Sequence, residues 1–222
     1  MDNIVETTSQ EEFVKSVCEK IKEECFKRIK EKGKFTIVLA GGQTPKIIFD
    51  ELILSYKNSI DWSKISFFWV DERCVAPTDK SSNFKLAYDH LLSKLNSVGS
   101  IHRIKGEIEV DKAAKDYQKD LINFFKGNEI KFDFVLLGMG EDGHVASLFP
   151  NSKEIKKTNE LVLATEKAYD GFKRITMGLD LINEISYKLL IIKGEKKLKT
   201  LISKNERLPI RNIKHKHIYY LK

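Results

Sequence analysis

The segment FDFVLLGMGEDGHVASLFP, from Phe132 to Pro150, constrains this chain more than any other. Phe134, Val135, Leu136 and Leu137 form a short unbroken apolar run, the pattern of a buried strand. The run breaks into a loop with three glycines, Gly138, Gly140 and Gly143, that also carries Glu141, Asp142 and His144. A buried strand opening into a Gly-rich loop is where an open α/β sheet places its ligand site. Glycines there permit positive φ and close approach of a substrate. One histidine beside two carboxylates supplies a base near neutral pH, with acids to orient it. Taken alone, a histidine after glycine is commonly a solvated turn residue, and Asp-Gly is ordinary turn chemistry. The context decides, because two further loops of the chain have the same character.

Strands and helices alternate along the sequence. Ser9 and Glu12 read as a capping box, and Phe13, Val17, Ile21, Phe26 and Ile29 give a helical stripe that stops at Gly33. Phe35–Leu39 is a short buried strand, followed by AGGQTP and an amphipathic helix through Ile47, Ile48, Leu52 and Ile53. Ile65–Val70 is a second strand and ends in Asp-Glu-Arg. Ser82 caps a helix through Phe84, Ala87 and Leu91, and Val110–Phe125 is another, with Ala113, Tyr117, Leu121 and Phe124 on its apolar face. Later strands are expected at Leu161–Ala164, Arg174–Met177, Lys188–Ile192 and His217–Leu221, with a helix from Lys196 to Ser203. This alternation predicts a three-layer α/β/α domain over residues 1–222 with a mostly parallel sheet. No linker, internal repeat or low-complexity tract interrupts it.

Composition excludes several classes of function. The 222 residues can bury a substantial core, and no run approaches the roughly 18 apolar residues of a membrane span. The first residues, MDNIVETTSQEEF, lack the basic patch and apolar core of a secretory signal. Three cysteines, Cys18, Cys25 and Cys74, with no CxxC spacing argue against a disulfide framework or a zinc site. A cytoplasmic protein with reduced thiols is expected. The net charge of +7 is spread along the chain. KIKEECFKRIKEK, for instance, laces lysines with glutamates on a solvated helix face. Such a surface suits anionic small substrates better than nucleic acid.

Three loops follow strands and so share one edge of a parallel sheet. In the first, Gly41-Gly42-Gln43-Thr44-Pro45, Pro45 reads as the first helical residue and Thr44 as its cap. The glycines ahead of them let backbone N–H groups converge on an anion. It is neither a Walker loop nor a GxGxxG turn. The second loop is Asp71-Glu72-Arg73. Charges directly after a buried strand need partners or work, and arginine suits bidentate phosphate binding. The local alternative is an Asp71–Arg73 ion pair. The third is the His144 loop. Together they describe a pocket for chemistry on a phosphorylated small molecule, with His144 as base.

GGQTP (41–45), DER with SSNFKLA (71–73 and 81–87) and GMGEDGHVASLFP (138–150) resemble the 6-phosphogluconolactonases, as do Arg174-Ile-Thr and Gly194-Glu-Lys-Lys197. The motifs come in family order from Phe35 to the terminus. Departures are Gln43 where serine is commoner, Glu141 where proline is commoner and Val145 where threonine is usual. The resemblance implies a Rossmann-like α/β fold shared with the glucosamine-6-phosphate isomerases/deaminases. It also implies hydrolysis of 6-phosphoglucono-δ-lactone to 6-phosphogluconate, the second step of the oxidative pentose phosphate pathway.

By the same resemblance, Gly41, Gly42, Gln43, Thr44, Arg73 and Lys197 hold the phosphate, with Arg174 and Asp71 completing the substrate set. His144 is the general base, and Asp142 orients it or helps hold the substrate. No cofactor or metal is implied. The expected partner is a small phosphorylated sugar lactone, with no nucleic acid and no membrane, and the expected state is a monomer or weak dimer. Two alternatives remain: an isomerase/deaminase, or a non-catalytic sugar-phosphate binding protein. The deaminases carry a carboxylate where this chain has Phe149 and usually tyrosine where it has Arg73. Intact His144, Asp142 and Arg73 speak against the non-catalytic reading.

Overall fold

The structure, a computed structural model, describes residues 4–156 and 160–222. Its elements in chain order are β1 (Ile4–Thr7), α1 (Gln10–Lys32), β2 (Phe35–Leu39), α2 (Gln43–Tyr56), β3 (Ile65–Trp69), β4 (Asp71–Arg73), α3 (Asn83–His90) and β5 (Ser100–His102). They continue with α4 (Val110–Phe124), β6 (Phe134–Gly138), β7 (Val162–Ala164), β8 (Arg174–Met177), α5 (Leu179–Asn183), β9 (Tyr187–Lys193), α6 (Glu195–Ile202) and β10 (Lys216–Leu221).

Seven strands form one sheet in the order β1-β10-β9-β6-β2-β3-β5, and every pair in it is parallel. β2 and β3 are buried at every position, as expected for strands covered on both faces. On one face Ile21 and Cys25 of α1 and Phe49 and Leu52 of α2 meet Phe35, Ile37, Leu39 and Phe67. On the other, Phe68 packs edge-to-face on Phe124 of α4, with ring centroids 5.0 Å apart. Phe67 and Phe68 are both fully buried, each worth about 2–3 kcal/mol of transfer free energy. The α/β/α layering expected from the alternation is present.

The helices begin and end where the caps direct. The Ser9 side chain accepts from Glu12 N, and Gly33, at φ +76°, closes α1 by donating to Ile29 O. Pairs such as Glu11–Lys15 at 2.9 Å and Glu31–Arg28 at 3.1 Å lie on its outer face. The strand order sets the site. From β2 the chain moves outward through β3 to β5, then returns to β6 on the other side of β2 and continues to β9 and β10. The carboxyl ends of β2 and β6 therefore flank the switch point where open α/β sheets hold ligands.

The parallel alternation did not anticipate a second sheet. β4, β8 and β7 form a three-stranded antiparallel sheet, so the strands expected near 161–164 and 174–177 leave the main sheet. These strands are three or four residues long, too short for sequence periodicity to assign a partner. Among the described residues no helix is long and apolar enough to cross a membrane, and the three cysteines are free.

Candidate active site

A cavity of about 280 Å³ opens at the carboxyl ends of β2 and β6. All three loops contribute to it, and residues of β8 and α6 join them.

After β6 the chain turns tightly. Gly140 N donates to His144 O at 3.0 Å, and Gly143, at φ +83°, donates to Gly140 O at 3.1 Å. One Asp142 oxygen accepts from His144 N at 3.1 Å and lies 2.7 Å from His144 Nδ1. That contact assigns the proton to Nδ1 and leaves Nε2 as an acceptor. A Cβ at residue 140 would collide with the His144 ring and the Asp142 carboxylate, so the turn requires glycine. Asp142 lines a neighbouring hollow rather than the cavity; it supports the imidazole from behind. Glu141 leaves the group: it ion-pairs with Lys196 at 2.5 Å, which holds its carboxyl below the usual range. The two-carboxylate set expected around His144 reduces to one.

After β2, Gly42 at φ +108° is the N-cap of α2, with no side-chain cap hydrogen bond. Helix α2 starts at Gln43, two residues earlier than expected, so Thr44 sits within the first turn and is not the cap. The positive φ of Gly42 lets the chain enter the helix there. The N–H groups of Gln43 and Thr44 are left without a side-chain acceptor at the positive end of a helix, beside the cavity.

Along β4, side chains alternate. Glu72 points away and is buried, accepting from the backbone N–H groups of Arg73, Asn83 and Phe84 at 2.8 Å each and from Ser82 Oγ at 2.9 Å. It clamps the start of α3. Asp71 and Arg73 both line the cavity, yet they do not form the ion pair that was the local alternative. Asp71 accepts from Ser147 Oγ at 2.6 Å and from Asn83 Nδ2 at 3.2 Å, while Arg73 Nη1 donates to Ser81 O at 2.6 Å. Each group is held by another neighbour.

Arg73 lies directly opposite Arg174 in the β4–β8 pair. Arg174 Nη2 donates to Tyr169 O and to Asp170 Oδ2, both at 3.1 Å. The Nε atoms of both arginines are buried and have no acceptor among the described residues. Burial, and then the charge of Arg73, depresses the pKa of Arg174. Lys197, in the first turn of α6, completes the cationic wall, and burial pulls its ammonium pKa down while Glu141 pushes it up. Gly41 packs so closely on Asn83 that a Cβ would overlap its side-chain amide.

All ten residues singled out from the sequence therefore meet here: Gly41, Gly42, Gln43, Thr44, Asp71, Arg73, His144, Arg174 and Lys197 line the cavity, and Asp142 stands behind His144. Asn83, Ser147 and Asp170 were missed. Asn83 and Ser147 carried a signal, through their places in the SSNFKLA and GMGEDGHVASLFP runs; Asp170 carried none. Among the described residues, no group of three or more His, Cys, Asp or Glu is placed to hold a metal ion.

Residues 8–220 match the family model described as glucosamine-6-phosphate isomerases/6-phosphogluconolactonase. The chain is 37% identical over 179 residues to the chloroplastic 6-phosphogluconolactonase 3 of Arabidopsis thaliana, covering 76% of this chain but 55% of that protein. It is 33% identical over 180 residues to the 6-phosphogluconolactonase of Treponema pallidum, covering 79% of this chain and 74% of that one. The crystal structure of the 6-phosphogluconolactonase from Thermotoga maritima superposes with a TM-score of 0.87 at 30% identity, covering 100% of this chain and 99% of that chain. These matches, together with the motifs gathered around one cavity, establish that the chain belongs to the glucosamine-6-phosphate isomerase/6-phosphogluconolactonase family.

Proposed function

We propose that this protein hydrolyses 6-phosphoglucono-δ-lactone to 6-phosphogluconate. One observation carries the reading: an imidazole tethered through Nδ1 to a carboxylate shares a cavity with two arginines whose buried Nε–H groups have no acceptor among the described residues. The arginines, Lys197 and the first-turn amides of α2 offer donors to a phosphate. His144 Nε2 takes a proton from water as the oxygen attacks the lactone carbonyl. The tetrahedral intermediate collapses with cleavage of the ring C–O bond, and the imidazolium returns the proton to the departing ring oxygen. Asp142 holds the tautomer and stabilises the imidazolium. The lactone needs no redox partner, and water is the co-substrate.

The family also contains isomerases, whose chemistry moves a proton between carbons and releases ammonia. Asp71 could supply a base, but both its oxygens already accept hydrogen bonds, and Phe149 offers no carboxylate. The deciding experiment compares lactone opening with ammonia release from glucosamine-6-phosphate on one purified sample, alongside His144→Ala. Rapid lactone opening, no ammonia, and a loss of about 10² to 10⁴ in rate for His144→Ala are expected. Ammonia release with negligible lactone opening would reverse the assignment.

A further inference from the structure

Phe149 touches three parts of the site at once. Its ring centroid lies 4.6 Å from that of His144. It stacks on Tyr169 at 3.6 Å with the planes 7° apart, and the Arg174 guanidinium lies over it at 5.6 Å. The side chain is buried. Among the described residues, the ring of His144 has one hydrogen-bonding partner, Asp142 at Nδ1. A single bond at one ring atom leaves the imidazole free to pivot about it, and a pivot moves Nε2 away from the attacking water. A packed aromatic ring alongside blocks that movement.

We propose that Phe149 is a positioning residue for lactone opening: its ring, braced by Tyr169, holds the His144 imidazole so that Nε2 stays aimed into the cavity. The inference rests on His144 being the base. The charged groups around His144 are Asp142 and Glu141 on its own loop, Asp170 before β8, Arg174 on β8, Asp71 and Arg73 on β4 and Lys197 on α6. A carboxylate at position 149 would add a further negative charge to that set.

The test uses the full chain with Phe149→Leu, Phe149→Tyr, Phe149→Glu and Tyr169→Ala, each checked for its thermal transition. Phe149→Leu should lower kcat by about tenfold to a hundredfold, since a misplacement of about 1 Å has that effect, with KM for the phosphorylated lactone nearly unchanged. Phe149→Tyr, which keeps the ring, should restore most of the loss. In Phe149→Glu the acid limb of the kcat/KM profile should move to higher pH, because an adjacent carboxylate favours the imidazolium. Wild-type kcat in a folded Phe149→Leu overturns the proposal, as does a parallel collapse of kcat and phosphate affinity that tyrosine does not restore. If Phe149→Leu does not fold, the partly exposed Tyr169 decides: Tyr169→Ala should lower kcat at constant KM, and an unchanged kcat overturns the role. His144→Ala separates the two readings. Full turnover in that variant removes the base assignment beneath the inference, whereas its loss beside an undisturbed Phe149→Leu removes only the positioning role.

Discussion

Arg73 and Arg174 face each other across the antiparallel β4–β8 pair, and each keeps a buried Nε–H with no acceptor among the described residues. Like charges directly opposite on neighbouring strands destabilise a sheet by about 0.2–1 kcal/mol. Each unsatisfied buried donor costs roughly 1–3 kcal/mol more. On the proposed reading, an anion in the cavity completes this arrangement. Replacing either arginine by alanine should raise KM for the phosphorylated lactone by about tenfold to a hundredfold, the worth of a charged hydrogen bond of about 1.5–3 kcal/mol. Unphosphorylated gluconolactone should be much less affected. An equal loss on both substrates would assign these residues to the reacting centre or to structure instead.

Asp142 is half exposed and bonds to His144 through one oxygen that also takes the His144 backbone N–H. If Asp142 orients His144, as proposed, Asp142→Ala should lower kcat by about tenfold to a hundredfold with little change in KM. Steady-state kinetics corrected for spontaneous lactone opening measures this. A rise in KM at constant kcat would mean that Asp142 binds substrate directly.

The two close-packed glycines separate the halves of the site. In Gly140→Ala the added methyl drives into the His144 ring and should cut kcat by about a hundredfold, leaving sulfate binding intact. In Gly41→Ala it drives into Asn83, which holds Asp71 through its backbone and side-chain oxygens. That variant should weaken anion binding and lower the thermal transition. Calorimetric titration with sulfate, run beside the kinetics, distinguishes the two outcomes; equal effects in both variants would contradict the division.

What could be read from the sequence follows from which interactions are local. Phe35–Leu39, Ile65–Val70 and Phe134–Leu137 announce themselves because a strand buried on both faces is predominantly apolar, with Thr36 and Ser66 the polar residues among them. Ser9 and Ser82 mark helix starts because a cap acts within one turn. Asp71-Glu72-Arg73 has no apolar residue and becomes a strand only because Arg174–Thr176 lies against it, a tertiary effect no local pattern carries. β1 and β5, at the sheet edges, are too short to show alternation. His144 and Arg73 stood out by chemical type, whereas Asn83 and Ser147 are common capping and loop residues whose task, holding Asp71, appears only in three dimensions. Glu141 was misplaced because the direction of its carboxylate is set by Lys196, on a helix far along the chain.

Glu72 sits between two cavity residues yet serves the scaffold. Glu72→Ala would strip the acceptor from three backbone N–H groups and the Ser82 hydroxyl. It should destabilise the fold by about 3 kcal/mol or more, while surviving folded protein binds sulfate nearly normally. Glu72→Gln, which keeps part of the acceptor set, should lose less. Denaturant unfolding gives both values, and equal stability of Glu72→Ala and wild type would remove the clamp.

On the proposed reading, Lys197 gives the anion site a pH dependence of definite sign. Burial pulls its ammonium pKa below the ordinary lysine value, with Glu141 opposing, so as pH rises the charge is lost earlier than on a free lysine. The attraction for an anion is fully present below the folded pKa and disappears as pH climbs through it. For stability the sign is opposite: the unfolded chain holds the proton more tightly, so the penalty of the buried charge is relieved as pH rises through the same window. Sulfate, whose charge is constant, is the suitable probe. Its affinity for the wild type should fall on the alkaline side before the ordinary lysine range is reached. Lys197→Arg should hold its affinity flat across that span, and Lys197→Met should be weak and flat. A wild-type affinity that stays level while Lys197→Met binds equally well would place Lys197 outside the anion site.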